Sequence, residues 1–245
     1  MGVRAALRRP RTWLIGIPVL ILLAVVVGPF VYINFIKADA PERLSFDSVT
    51  TTTAAPGDTS DPSTTVTSGA DEAMSGTWTV GPGSVAGYRV QEVLFGQSSE
   101  AAGRTESVTG TIGIDGTVVE SGDFTVDLTT VASDDNRRDN QFHGRIMNTG
   151  TFPTATFVLG EPVDFGSVPG DLEQITVPVT GQLTMHGVTN DIAVDLLARR
   201  NGAGIEVNGT IPIAFSDYDI NNPSGGPAQV GDDGEIELLL ILTRT

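Results

Sequence analysis

Ile175-Thr176-Val177-Pro178-Val179-Thr180-Gly181-Gln182-Leu183-Thr184 decides the fold class. Ile175, Val177, Val179 and Leu183 fall on one face of an extended chain, and Thr176, Thr180, Gln182 and Thr184 fall on the other. Successive side chains of an extended chain point to opposite sides, so strict alternation of this kind marks a half-buried strand. Outward from it, Val188, Ile192, Val194 and Leu196 alternate with Thr189, Asp191 and Asp195, and Ile205, Val207, Ile211 and Ile213 keep the period. The closing stretch Ile236–Leu242 is apolar on both faces, which predicts a strand buried on both sides or partly facing a lipid-like ligand. Asp115-Gly116 separates Ser107–Ile114 from Thr117–Leu128, and Asn201-Gly202 separates Val188–Arg200 from Gly204–Ile213. Both pairs supply the positive φ angles of tight hairpins. Gly181, inside a strand, predicts a bend where a sheet curls. Many strands joined by hairpins give an all-β, antiparallel domain, either a sandwich or a closed barrel.

One segment breaks the pattern. Between Asp134 and Met147 the chain is polar first and then places Phe142, Ile146 and Met147 near helical spacing. Ser133 is suited to cap its start, with acidic residues favourable in the first turn. The prediction is a short helical segment covering one end of a barrel.

Upstream of the β region the composition changes twice. The run from Trp13 to Ile36 contains no charged side chain. A bilayer core of ~30 Å needs about 20 predominantly apolar residues, so this run is expected to span a membrane as a single helix. Arg4, Arg8, Arg9 and Arg11 precede it and only Lys37 follows closely. That asymmetry places residues 1–12 in the cytoplasm and the remainder outside. The run exceeds the about 7–15 apolar residues of a cleavable signal, and the small-residue candidate Ala38-Asp39-Ala40 is followed by Pro41, so an uncleaved signal anchor is expected over 13–36. Residues 37–75 are rich in Ser, Thr and Pro and poor in anything that could be buried, which predicts a disordered tether. Residues 76–245 then have the length of one domain.

Charge and composition exclude several functions. The net charge is -16, and every acidic residue lies beyond Lys37. Such a surface repels nucleic acid. With no cysteine, the chain has neither a disulfide nor a site for lipid acylation. No Gly-x-Ser-x-Gly elbow or phosphate loop occurs, no catalytic residue stands out, and neither a cofactor nor a metal is expected. Asp217, Asp219, Asp232 and Asp233 flank a Gly/Pro-rich loop at irregular spacing, which reads as a solvated turn.

Two signatures carry a family resemblance. Arg138-Asp139, Phe142 and Thr151-Phe152-Pro153-Thr154-Ala155-Thr156-Phe157 resemble one motif of the YceI-like family, and Gly181-Gln182-Leu183-Thr184-Met185-His186-Gly187-Val188-Thr189 resembles the other. The opening Gly76-Thr77-Trp78-Thr79-Val80 is similar to the start of such domains. Gly83-Ser84 stands where the family usually has His-Ser. The resemblance implies an antiparallel, lipocalin-like β-barrel that holds a polyisoprenoid or similar long-chain lipid in its interior, and an exported location.

On that implication Phe95, Phe124, Phe142, Met147, Phe152, Phe157 and Phe215 are candidates to line a lipid tunnel, although each could equally be plain core. Arg137, Arg138 and Arg145 form the one visible basic cluster of the acidic region, and guanidinium forks suit an anionic head group. Alternatively Arg138 and Asp139 form an ion pair that clamps the helical segment. His186 either contacts a lipid head or fixes its turn by a hydrogen bond. The expectation is a non-enzymatic, membrane-tethered lipid-binding module. The alternative is a structural or protein-interaction domain with a filled barrel.

Overall fold

The computed structural model describes residues 40–48, 74–226 and 228–245, together with positions 27, 28 and 31. The rest of the expected membrane run and most of the expected tether lie outside the described residues. Among the described residues no helix is long and apolar enough to cross a membrane.

Eight antiparallel strand lines close into a barrel, three of them broken in the middle. β1 (Gly76–Val80) and β2 (Val85–Leu94) form the first line, and β3 (Gln97–Thr105) and β4 (Val108–Asp115) the second. β5 (Val118–Asp127) and β6 (Ala132–Ser133) form the third. β7 (Thr154–Leu159), β9 (Gln174–Met185), β10 (Val188–Asn201), β11 (Gly204–Ala214) and β13 (Asp233–Arg244) complete the wall, with short β8 (Val163–Asp164) on β5 and β12 (Ala228–Val230) on β2. Each line pairs with its sequence neighbours, an up-and-down meander. β13 closes the ring by pairing first with β2 (Leu239 opposite Val85) and then with β1 (Leu242 opposite Val80). Closure removes the open edges that would otherwise template aggregation.

The break between β1 and β2 is chemically repaired. Gly81 N donates to Ile241 O at 2.7 Å, and Ile241 N donates to Ser84 Oγ at 2.9 Å. Ser84, which is 2% exposed, thus pairs a backbone group that the interrupted ladder would leave unmet. The predicted hairpins are present, with Gly116 at φ 60 and Gly202 at φ 58. Gly181 has a different role from the expected bend: a Cβ there would meet the Phe157 ring at 2.4 Å, so the glycine makes room for that ring.

The segment between β6 and β7 lies over one end of the barrel. It comprises α1 (Asn136–Gln141) followed by one π-helical turn, Phe142–Ile146. Asp135, rather than the expected Ser133, caps the helix by accepting from Arg137 N at 2.7 Å. The expected Arg138–Asp139 clamp is replaced by two other contacts. Asp139 accepts from Ser133 N at 2.8 Å and from Ser133 Oγ at 2.6 Å, while Arg138 pairs with Asp134. The first contact binds α1 to the short β6 segment and the second to Asp134 just after it, so the end cover is fixed by local polar bonds.

Residues 40–48, placed in the tether by their composition, instead lie along the outer wall. Arg89 NH2 donates to Pro41 O at 2.6 Å, Arg104 donates to Glu42 O, and Asn208 Nδ2 donates to Leu44 O at 3.0 Å. Phe46 is 6% exposed beneath the Arg199 guanidinium, 4.4 Å from its ring centre. Under this strap Arg89 and Glu237, exposed by only 2% and 1%, form an ion pair at 2.6 Å, and Arg104, Arg43 and Glu100 join them. Burial alone would raise the Glu100 carboxyl, but hydrogen bonds from Gln91 and Arg89 and the Arg89 and Arg43 charges bring it below the usual range. The two apolar faces of Ile236–Leu242 follow from this arrangement. Leu240 and Leu242 face the barrel interior, and Leu239, opposite Asn208, is 2% exposed on the outer face.

Candidate functional site

Inward alternation places Ala86, Tyr88 and Val90 of β2, Met185 of β9, Ile213 of β11 and Ile236 of β13 around one space. Phe142, Ile146 and Met147 of the helical segment roof it. The space is a cavity of about 1300 Å³, open at the end where β2 turns into β3, with a predominantly apolar lining. That exceeds the range of about 300–1,000 Å³ typical of small-molecule sites. One step deeper on three strands, Leu183, Ile211 and Leu238 pack as a floor. Below that floor lies a second, wholly apolar void of about 130 Å³, bordered by Phe124, Phe157, Val207 and Leu240.

Tyr88 organises the upper space. Its ring stacks on Phe142 with centroids 5.0 Å apart and planes at 11°. Opposite it on β3 is Gly103, where a Cβ would meet the Tyr88 ring at 2.5 Å. Phe124 lies in the same way over Gly110, its partner on β4. Bulky inward rings therefore sit over glycines of the next strand, which lets a narrow barrel accept them without spreading. Burial pushes the Tyr88 phenol above its ordinary value, opposed in part by the Arg138 charge, so it stays a neutral hydroxyl at physiological pH. Glu92 and Arg138 approach to 4.0 Å at the rim, where Asp134 also pairs with Arg138. The site is thus a greasy shaft with its charges confined to the opening, suited to an apolar chain with a polar end.

The candidates chosen from sequence divide among four places. Phe142, Met147 and Phe215 border the large cavity, and Arg138 and Phe95 stand at its opening. Phe95 is 47% exposed at the β2–β3 tip, so it is a rim residue and not a buried wall. Phe124 and Phe157 border the small lower void. Phe152 and His186 border neither cavity. Their rings meet edge to face at 4.8 Å in the β9–β10 turn, where His186 has φ 52 and its Nδ1 is 3.0 Å from Tyr218 O. His186 thus links the β9–β10 turn to the backbone of Tyr218, away from both cavities. Among the described residues no three metal-ligating side chains converge. Tyr88, Ile213 and Ile236 were missed as cavity residues. The signal for Tyr88 was present in the alternation of Ala86, Tyr88, Val90 and Glu92 against Gly87, Arg89 and Gln91.

A closed antiparallel barrel with a large internal apolar cavity defines the class by its shape. The YceI-like domain model matches residues 78–242, and the chain belongs to that family. Solved structures agree on the fold. A polyisoprenoid-binding domain from Saccharophagus degradans, implicated in plant cell wall breakdown, is 17% identical, with a TM-score of 0.55 over 69% of this chain and 98% of its own. BcnA of Burkholderia cenocepacia is 21% identical, with a TM-score of 0.50 over 64% of this chain and 95% of its own. No curated protein matches the chain.

Proposed function

We propose that this protein sequesters a polyisoprenoid or similar long-chain apolar lipid, tail inward, in the upper cavity, and does so outside the cytoplasm while anchored in the membrane by residues 13–36. The observation that supports this most is the open apolar cavity of about 1300 Å³ inside a barrel of the YceI-like family. The Saccharophagus domain named for polyisoprenoid binding shares the fold, which points to the same ligand class. The physics is that of hydrocarbon transfer. At about 0.3 kcal/mol per heavy atom, a chain of about 40 carbons gains on the order of 12 kcal/mol on leaving water. Tyr88 OH and Arg138 stand where a polar or anionic head would emerge, and they set orientation without paying for most of the affinity. The anchor rests on the apolar run and on the arginines behind it.

The test is native mass spectrometry of the full chain purified from membranes, with organic extraction of whatever it holds. A long-chain lipid is expected in the natural protein. It should be shorter or less abundant in Ala155→Phe, whose ring narrows the cavity from a buried wall position (8% exposed). A folded natural protein that carries no extractable lipid favours a structural or interaction domain instead.

A further inference from the structure

The strap has a direction, and that direction matters. Pro41 is bound by Arg89 on β2, Leu44 by Asn208 on β11, and Phe46 by Arg199 on β10, beside the Asn201-Gly202 turn. From Pro41 to Phe46 the chain therefore runs away from the cavity opening, and its upstream end points toward the opening. Arg89 is five strand residues from Leu94 at the rim, about 16 Å along the strand. Ile36, the end of the apolar run, is five residues from Pro41, at most about 17 Å of extended chain. Gly28, inside the apolar run, itself borders the cavity opening. The stretch 49–73 joins the strap to β1 and so does not set the spacing between the apolar run and the barrel.

The rim also differs from the rest of the wall. Val93 and Phe95 on the β2–β3 tip are exposed by 39% and 47%. Of the nine arginines beyond Lys37, Arg137, Arg138 and Arg145 border the opening. Arg145 spends its bonds on Gln141 Oε1, Pro223 O and Ser224 O, so its charge faces no carboxylate partner among the described residues. Glu92, Asp134, Asp135 and Glu235 share the rim and outnumber those three arginines by one, so the opening is close to neutral within a strongly acidic domain, and its apolar tip rather than its charge suits it to a lipid surface.

From strap and rim together we infer that the cavity opening is a bilayer-docking face, held against the outer leaflet by residues 40–48 so that lipid passes between membrane and cavity without crossing water. This rests on the anchored lipid-binding reading above. Exposed aromatic and aliphatic side chains beside arginines are the usual composition of a surface that meets a lipid interface. The strap supplies the orientation that a free tether could not, because a chain growing as the square root of its length fixes no angle.

Because the chain has no cysteine, single labels can report orientation. Val93→Cys at the rim and Ala203→Cys at the opposite end, each in the full chain, are labelled with an environment-sensitive fluorophore. They are then reconstituted in phosphatidylcholine–phosphatidylglycerol vesicles containing spin-labelled lipid. Strong quenching at position 93 with none at position 203 is expected. Arg43→Glu places a carboxylate against Glu100, Glu235 and Glu237 and should abolish the difference by releasing the strap. Equal quenching at both positions, or quenching at 203 alone, overturns the docking face even if extracted protein contains lipid. Oriented quenching in protein without lipid leaves the docking face standing and removes the carrier reading. Failure to float with vesicles removes the anchor and the docking face together.

Discussion

Ser84 shows how one side chain can hold a barrel closed. Where β13 exchanges β1 for β2, Ile241 N would have no ladder partner without the Ser84 hydroxyl at 2.9 Å. Ser84→Ala strands that buried donor, which costs about 1–3 kcal/mol. Denaturant unfolding of the full chain should show a lower midpoint at unchanged slope, since the surface exposed on unfolding stays the same. A midpoint equal to the natural protein's would mean that water replaces the hydroxyl. In sequence the residue stands out only as the serine of Gly83-Ser84, where the YceI-like family usually has His-Ser, and that resemblance says nothing of the ladder it completes. The same limit governed the aromatic candidates. Residue type alone does not tell Phe142 in the roof from Phe152 against His186, because each is half of a packing pair whose other member, Tyr88 or His186, is distant in sequence. Tyr88 escaped notice for the converse reason: its partner Gly103 matters by having no side chain.

At the scale of elements, hairpins were legible because their signals are local: an alternating run, an Asp-Gly or Asn-Gly pair, another alternating run. The strap was not. Pro41-Glu42-Arg43-Leu44-Ser45-Phe46 is polar and short, and what holds it are its own backbone carbonyls, which accept from Arg89, Arg104, Arg199 and Asn208 on β2, β3, β10 and β11. The helical roof was legible in place but not in its fastening, since Asp135 took the cap and Asp139 turned back to Ser133. That fastening is testable. Asp139→Ala removes both bonds to Ser133 while leaving the Tyr88–Phe142 stack untouched, so the roof should open more often without the barrel unfolding. Hydrogen exchange should accelerate over 136–147 and not over β9 or β10, and uptake of a fluorescent long-chain lipid should quicken. If exchange rises across all strands equally, α1 is part of the cooperative core and not a separately opening cover.

For the whole molecule, alternation left a sandwich and a barrel equally open. The pairing of β1 with β13 decides between them, and it joins residues more than 160 positions apart. Hollow against filled was equally out of reach, because it depends on the sum of side-chain volumes across strands. The observed answer is layered: a large upper cavity, a floor of Leu183, Ile211 and Leu238, and a small apolar void beneath. Such a floor sets how much chain the barrel can take. Leu238→Ala removes part of it and joins the two spaces, at a stability cost of about 2–5 kcal/mol. The retained lipid should shift toward longer chains in native mass spectra. Leu239→Ala is the control: its side chain is the more deeply buried of the two, 2% exposed, but points outward beneath the strap, so it should lose at least as much stability with no change in lipid length. A length shift in both variants would trace the effect to loosening of the barrel. A shift in neither would mean that the rim, and not the floor, measures the chain.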